Sequence, residues 1–178
     1  MRFIAKCTLV VFSVIVHLVV ISTVTVLGAP TSVIQSRWSV IHFVNEFGER
    51  TDKGARSLSV APIQPMDFPY HNTSAFVVVN CNSVWLRFSD TPNLTGGSIG
   101  DGYTEYSIVA RVDGNDLGRV SVTQTWGADD LHFNNDARII DAVRSASTFS
   151  VALPWYGSMV AFRWSLNGSS NAITSSCD

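Results

Sequence analysis

The stretch FVVVNCNSVWLRF, residues 76–88, decides the fold of this chain. Two short apolar runs, AFVVVN (75–80) and VWLRFS (84–89), are separated there by the three polar positions Cys-Asn-Ser. β-Branched and aromatic residues favour extended backbone, and a short polar break between two such runs is typical of a β-hairpin. The stretch therefore predicts a hairpin with Cys81 at its turn.

The same period of two, with apolar and polar residues alternating, recurs along the chain and predicts further strands. These are expected over 38–47, 55–62, 105–113, 118–126, 131–134, 148–154 and 158–166, with turns at 48–55 and 113–116 and a long Gly-rich loop at 90–103. Helical spacing predicts a helix over 134–147 with Asn135 as its N-cap, and the tail 167–177 is expected to form a short final helix. The prediction is a mostly β fold, an antiparallel sandwich or open barrel with one or two short helices.

The N-terminal segment is predicted to direct export. Residues 7–28 contain no Asp, Glu, Lys or Arg, and the head in front of them carries Arg2 and Lys6. A basic head before an apolar run is the layout of a secretory signal, but this run is also long enough to span a bilayer. Residues 1–28 are therefore interpreted as a signal peptide or a signal anchor, 29–37 as a linker, and 38–178 as a single exported β-rich domain.

This segment also predicts where the protein is found. The domain is expected in the periplasm or outside the cell, with membrane contact only through residues 7–28 if they are not cleaved. Without Arg2 and Lys6 the chain keeps all 14 acidic residues and ten basic ones, and the basic residues form no run. A basic patch is the electrostatic signature of nucleic-acid binding, so a nucleic-acid partner is not expected.

The cysteines support the same compartment. Cys7 belongs to the export segment, which leaves Cys81 and Cys177 in the predicted domain. Two cysteines in an oxidising compartment most often form a disulfide, so a Cys81–Cys177 bridge is predicted. A metal site or a redox thiol is the weaker alternative, because neither CxxC spacing nor a neighbouring histidine accompanies them.

One polar cluster could carry chemistry. Asp129, Asp130 and His132 lie close enough in sequence for acid–base or metal chemistry, but such a cluster needs a third, well-placed partner, and only the distant His42 or His71 could supply it. A solvated turn is the favoured interpretation, so no catalytic residue, metal or cofactor is assigned. A periplasmic hydrolase or metal-dependent enzyme using these three residues is kept as an alternative.

The tryptophans predict a binding surface. Most of Trp85, Trp126, Trp155 and Trp164 should lie in the core of so small a domain. Trp155-Tyr156-Gly157, however, is expected to be a loop, and exposed aromatic residues on a loop are good anchors for a partner. Trp155, Tyr156 and Trp126 are therefore the predicted binding residues.

The order of these landmarks resembles the VasI/TagO-like accessory proteins, a bacterial envelope family associated with type VI secretion. The resemblance covers roughly residues 38–177, and Phe68 departs from it, standing where the family has a second Asp. The residues that carry it are Trp38, Pro65-Met66-Asp67, Cys81-Asn82, Arg111-Val112-Asp113, Trp126, Asn167-Gly168, Ala172 and Cys177.

The resemblance implies a periplasmic accessory domain with a bridge of the same kind and no catalytic residues. Together with the export segment and the cysteine pair, it predicts a non-enzymatic accessory or binding protein of the cell envelope. The expected partner is an envelope protein or a cell-wall component. An inhibitor of a cell-wall enzyme is a further alternative, because small disulfide-tied β domains often have that role.

Overall fold

The computed structural model describes residues 38–177. The predicted signal segment, the linker 29–37 and Cys7 lie outside these residues. The elements in chain order are β1 (Trp38–Val44), β2 (Arg50–Ser57), β3 (Ala75–Val79), β4 (Val84–Phe88), β5 (Ser98–Ile99), β6 (Tyr103–Val112), β7 (Asn115–Thr125), β8 (Asp130–Phe133), α1 (Asp136–Ser145), β9 (Thr148–Trp155), β10 (Ser158–Ser165) and α2 (Ser169–Cys177).

The strands form one antiparallel sheet in the order β1-β2-β3-β4-β8-β7-β6-β9-β10, with the short β5 added beside β6. The sheet curls until its two edges approach each other. Trp38 Nε1 on β1 donates to the carbonyl oxygen of Ser165 on β10 at 3.1 Å. Trp164 Nε1, also on β10, donates to the carbonyl oxygen of Ala75 on β3 at 3.0 Å. The predicted fold class, mostly antiparallel β with two short helices, is confirmed.

The core fills the inside of the curl. Alternate residues of β4, β7 and β9 point inward, as the period-two pattern predicts. In β4, Val84, Leu86 and Phe88 are buried, and Trp85 and Arg87 face the other way. The largest fully buried side chains are Trp155, Trp164, Phe149, Phe162, Leu86, Ile108, Leu131, Ile139, Leu153 and Ile173.

Both helices add an apolar face to this core. The Asn135 side chain accepts a hydrogen bond from the backbone N–H of Arg138, so the predicted N-cap of α1 is confirmed. Ser169 Oγ at the start of α2 donates to the carbonyl oxygen of Val143 on α1 at 2.7 Å. Neither helix in residues 38–177 has the length and apolar character that crossing a membrane requires.

The predicted central hairpin is confirmed as β3 and β4. The two strands pair in register from Ala75 opposite Phe88 to Val79 opposite Val84. At the turn, the Asn80 side-chain oxygen accepts from the backbone N–H groups of Asn82 and Ser83, at 3.2 and 2.7 Å. These bonds satisfy the turn backbone and present Cys81 to solvent.

The interpretation of residues 48–62 is wrong. The predicted turn 48–55 is largely strand β2, which pairs with β1 from Trp38 opposite Ser57 onward. Its Gly, Asp and Thr residues indicated a turn, but pairing with a neighbouring strand overrides local preference. The actual turn is tighter: the Asn45 side chain accepts from the backbone N–H groups of Phe47 and Glu49. Beyond Ser57, the predicted strand 55–62 retains only a single bridge, from Val60 to Ala75.

Two further expectations are corrected. The Gly-rich loop 90–103 contains the short strand β5. Trp155 was expected in a loop, but it is the last residue of β9, and only Tyr156 and Gly157 form the turn to β10. Because its side chain continues the inward alternation of β9, Trp155 is 2% exposed and belongs to the core.

Candidate functional site

The outer face of strands β1, β2, β3, β4 and β8 carries a concave surface, which we call the aromatic trough. Its volume is about 510 Å³. Apolar side chains dominate it, and charged and amide groups surround them. The lining residues are Ile41, Phe43, Asp52, Arg56, Phe76, Val78, Asn80, Trp85, Arg87, Asp130 and His132.

Three rings in a row form the trough's main surface. The Trp85 and His132 rings are stacked, with centroids 5.5 Å apart and an interplanar angle of 22°. The Phe43 ring lies 5.8 Å from Trp85 on the other side, tilted by 36°. Val78, opposite Trp85 in the β3–β4 register, is only 2% exposed although it faces away from the core. The side chains around Val78 therefore shield it from solvent, and Val78 forms the floor of the trough.

A glycine makes room for this row. Gly54 lies in the middle of β2, and a Cβ added there would stand 3.0 Å from the Phe43 ring and 3.1 Å from the carbonyl oxygen of Val79. Both distances are shorter than ordinary van der Waals contact. The missing side chain lets the Phe43 ring lie over β2 and lean toward Trp85.

The charged groups of the trough differ in whether they have partners. Arg87 binds Asp130 through two hydrogen bonds, Nε to Oδ1 at 2.6 Å and Nη2 to Oδ2 at 2.5 Å. The hydrogen bond to Asp130 raises the pKa of Arg87 above its usual value. Arg56 has no carboxylate within ion-pair distance among residues 38–177. Its guanidinium lies over the Phe76 ring, 5.2 Å from the centroid.

The three residues of the predicted acid–base cluster contact different groups. Asp130 pairs with Arg87, and Asp129 accepts from Thr91 Oγ1 at 2.5 Å. The His132 ring is stacked on Trp85. Asp129 does not line the trough with the other two.

The two other histidines that could complete this cluster lie elsewhere. His42 lines a different pocket, beside Cys81, and His71 is stacked on Phe68. No group of three metal-binding side chains is found in the described part of the chain. A hydrolase or a metal-dependent enzyme would need a third, well-placed side chain beside this cluster. Neither His42 nor His71 takes that place.

The predicted binding residues do not form one surface. Tyr156 is 71% exposed and borders a second pocket, a cleft of about 520 Å³ with mixed polar and apolar lining that also includes Tyr70 and Met159. Trp155 contributes to the wall of that cleft from the core, and its buried Nε1 has no hydrogen-bond partner among residues 38–177. Trp126 is 60% exposed, donates to Thr104 Oγ1 at 3.3 Å and lines neither the cleft nor the trough.

The two cysteines of the domain meet. Cys81 at the hairpin turn and Cys177 at the end of α2 are free thiols that lie side by side, both exposed. Cys81 Sγ lies 3.8 Å from the carbonyl oxygen of Ser176. A hydrogen bond with the Cys177 thiol, desolvation and nearby negative charge raise the pKa of Cys81 to about 11. The bridge itself remains a prediction, but the fold brings its two sulfurs together.

The residues of the trough were largely missed by the sequence interpretation, which placed most tryptophans in the core. One signal was present: in VWLRF, alternation places Trp85 and Arg87 on the face opposite Val84, Leu86 and Phe88. The pairing of β4 with β8 brings His132 beside Trp85. The sequence pattern did not predict this pairing.

The fold and site together define a class, a single-sheet antiparallel β domain with a concave aromatic surface on its outer face. Comparison with known proteins adds no relative, since no family model, no curated protein and no solved structure matches the chain. The resemblance described above therefore rests on its own residues.

Proposed function

We propose that this chain is a non-enzymatic binding protein of the cell envelope, exported by its N-terminal segment, and that the aromatic trough is its binding surface. The observation that carries this proposal is the open row of Phe43, Trp85 and His132. Apolar and aromatic side chains with a few convergent polar groups are the usual composition of a ligand site. Tryptophan is also one of the residues that contribute most of the energy at binding surfaces.

The cysteine pair supports the exported location. Cys81 and Cys177 are 96 positions apart in the sequence, yet their thiols are adjacent. Export to an oxidising compartment would convert this contact into the predicted disulfide and fix α2 against the sheet.

The resemblance to the VasI/TagO-like proteins supports the accessory role within the same proposal. It suggests that the partner, an envelope protein or a cell-wall component, belongs to a type VI secretion system. Hydrolytic or metal chemistry through Asp129, Asp130 and His132 is not proposed, because no observation favours it.

Retention on isolated cell envelopes tests the proposal. The full-length chain, purified in detergent, is mixed with envelope fragments and sedimented. The wild-type protein is expected to sediment, and Trp85→Ala is expected to weaken retention by about 30-fold, the effect of losing a hot-spot side chain of about 2 kcal/mol. Trp126→Ala is the matched control, because it removes an exposed tryptophan outside the trough.

The outcome depends on the difference between these two variants. Equal retention of Trp85→Ala and wild type, with both folded by circular dichroism, would show that the trough is not the binding surface. Treating the envelopes with protease beforehand distinguishes a protein partner, or an inhibited cell-wall enzyme, from the wall itself.

A further inference from the structure

The trough combines an aromatic surface with one cation that has no carboxylate partner in the described part of the chain. Arg87 and Asp130 neutralise each other, whereas the exposed Arg56 lies over the Phe76 ring and forms no ion pair among residues 38–177. A guanidinium presents a planar set of donors that fits a carboxylate with two parallel hydrogen bonds. Arg56 is therefore suited to bind a carboxylate supplied by a ligand.

The remaining polar groups of the trough suit hydroxyl groups, which both donate and accept hydrogen bonds. The Asp52 carboxylate, which accepts, the Asn80 amide, whose Nδ2 donates, and the His132 ring also line the trough. Asp52 precedes Arg56 by four residues along β2, a separation of about 13 Å at the rise of a β-strand. A ligand for this surface must offer a carboxylate at one end and hydroxyl groups elsewhere. It must also offer an apolar face to the rings.

The strand register sets the length of that ligand. Arg56, Val78, Trp85 and His132 are cross-strand neighbours on β2, β3, β4 and β8. Three steps of about 4.8 Å separate the first strand from the last, so the backbones at Arg56 and His132 are about 14 Å apart. One sugar ring is too short to contact side chains of both strands, and a chain of two or three linked rings is long enough.

We propose that the aromatic trough binds a carboxylate-bearing oligosaccharide, with its sugar rings across the row of Phe43, Trp85 and His132 and its carboxylate on Arg56. The C–H face of a pyranose is apolar and covers the exposed edges of these rings. Its hydroxyls donate to Asp52 and accept from Asn80 Nδ2. An acidic peptide offers the carboxylate but not the flat face lined by hydroxyls. This inference rests on the proposed function and specifies its ligand.

Calorimetric titration of the full-length protein with two matched saccharides tests the inference. The probes are the β-linked disaccharide N-acetylglucosaminyl-N-acetylmuramic acid, which carries one carboxylate, and its methyl ester, which is neutral. The acid is expected to bind at least about tenfold more tightly than the ester, because a charge-assisted hydrogen bond is lost in the ester. Arg56→Gln should abolish this difference, and Trp85→Ala should weaken binding of both probes.

Arg119→Gln is the matched control, since Arg119 is an exposed arginine on β7 outside the trough, and it should leave both affinities unchanged. Equal affinity for acid and ester in the wild type overturns the inference. It is also overturned if Arg119→Gln has the effect of Arg56→Gln, or if the peptide Glu-Asp-Glu-Asp binds as tightly as the acidic disaccharide. If no saccharide binds but Trp85→Ala still releases the protein from envelopes, the inference fails and the proposed function stands.

Discussion

At the scale of single residues, two buried tryptophans of this protein differ in the surroundings of the indole nitrogen Nε1. Trp164 and Trp155 are 1% and 2% exposed, and both lie in the aromatic core. Trp164 Nε1 donates to the carbonyl oxygen of Ala75, whereas the buried Trp155 Nε1 has no hydrogen-bond partner in the part of the chain that the structure describes. A buried polar group without a hydrogen bond lowers stability, so the same change at the two positions should have different effects.

We expect Trp164→Phe to lower the free energy of unfolding more than Trp155→Phe does, by about 1–3 kcal/mol. Both variants lose a similar volume, but the first also loses a hydrogen bond and the second removes an unsatisfied N–H. The Ala75 carbonyl oxygen still accepts from Val60 N–H, which limits the cost of the first variant. Urea unfolding of both proteins gives the comparison, and equal or reversed costs would contradict the expectation.

At the scale of elements, α2 depends on what holds it. Its sequence SSNAITSSC has few strong helix formers, and only Ala172 and Ile173 give it buried apolar side chains. It packs on β1, β2 and α1, and Cys177 ends it beside Cys81. The attachment of this helix to the sheet should therefore depend strongly on the predicted bridge.

Cys81→Ser and Cys177→Ser should each lower the free energy of unfolding of the oxidised protein by up to about 4–5 kcal/mol, the effect of closing a loop of this length. The double variant should be no less stable than either single one, because all three lack the same bond. Denaturant unfolding with and without reductant measures this. Reduced wild type should match the variants, and single variants as stable as oxidised wild type would show that no bridge forms.

At the scale of the whole molecule, the sheet is held in its curl by contacts between strands that are far apart in the sheet order. Trp38 Nε1 joins β1 to β10, and the backbone N–H of Ile63 donates to the carbonyl oxygen of Ala161 on β10 at 2.7 Å. An exposed sheet edge invites pairing with another chain, and these contacts cover part of each edge.

Trp38→Phe should therefore loosen the two edges more than the centre of the sheet. We expect faster amide hydrogen exchange in β1 and β10, with exchange in the long hairpin β6–β7 unchanged. Hydrogen-exchange mass spectrometry resolves these segments. Uniform acceleration over all strands would mean that the contact supports global stability instead, and no change at all would mean that it does not hold the edges.

The sequence by itself determined most strands, both helices and the central hairpin, because alternation, caps and turn residues act over a few neighbouring positions. It determined β3, β4 and α1 well and failed at β2, where Gly54 and its polar neighbours imitate a turn. Only the tertiary structure decided which strands pair, and hence that His132 lies against Trp85, that Arg56 lies over Phe76 and that Cys81 meets Cys177. Such contacts join residues tens of positions apart, and their energy depends on the packing of the whole sheet, which no local pattern records.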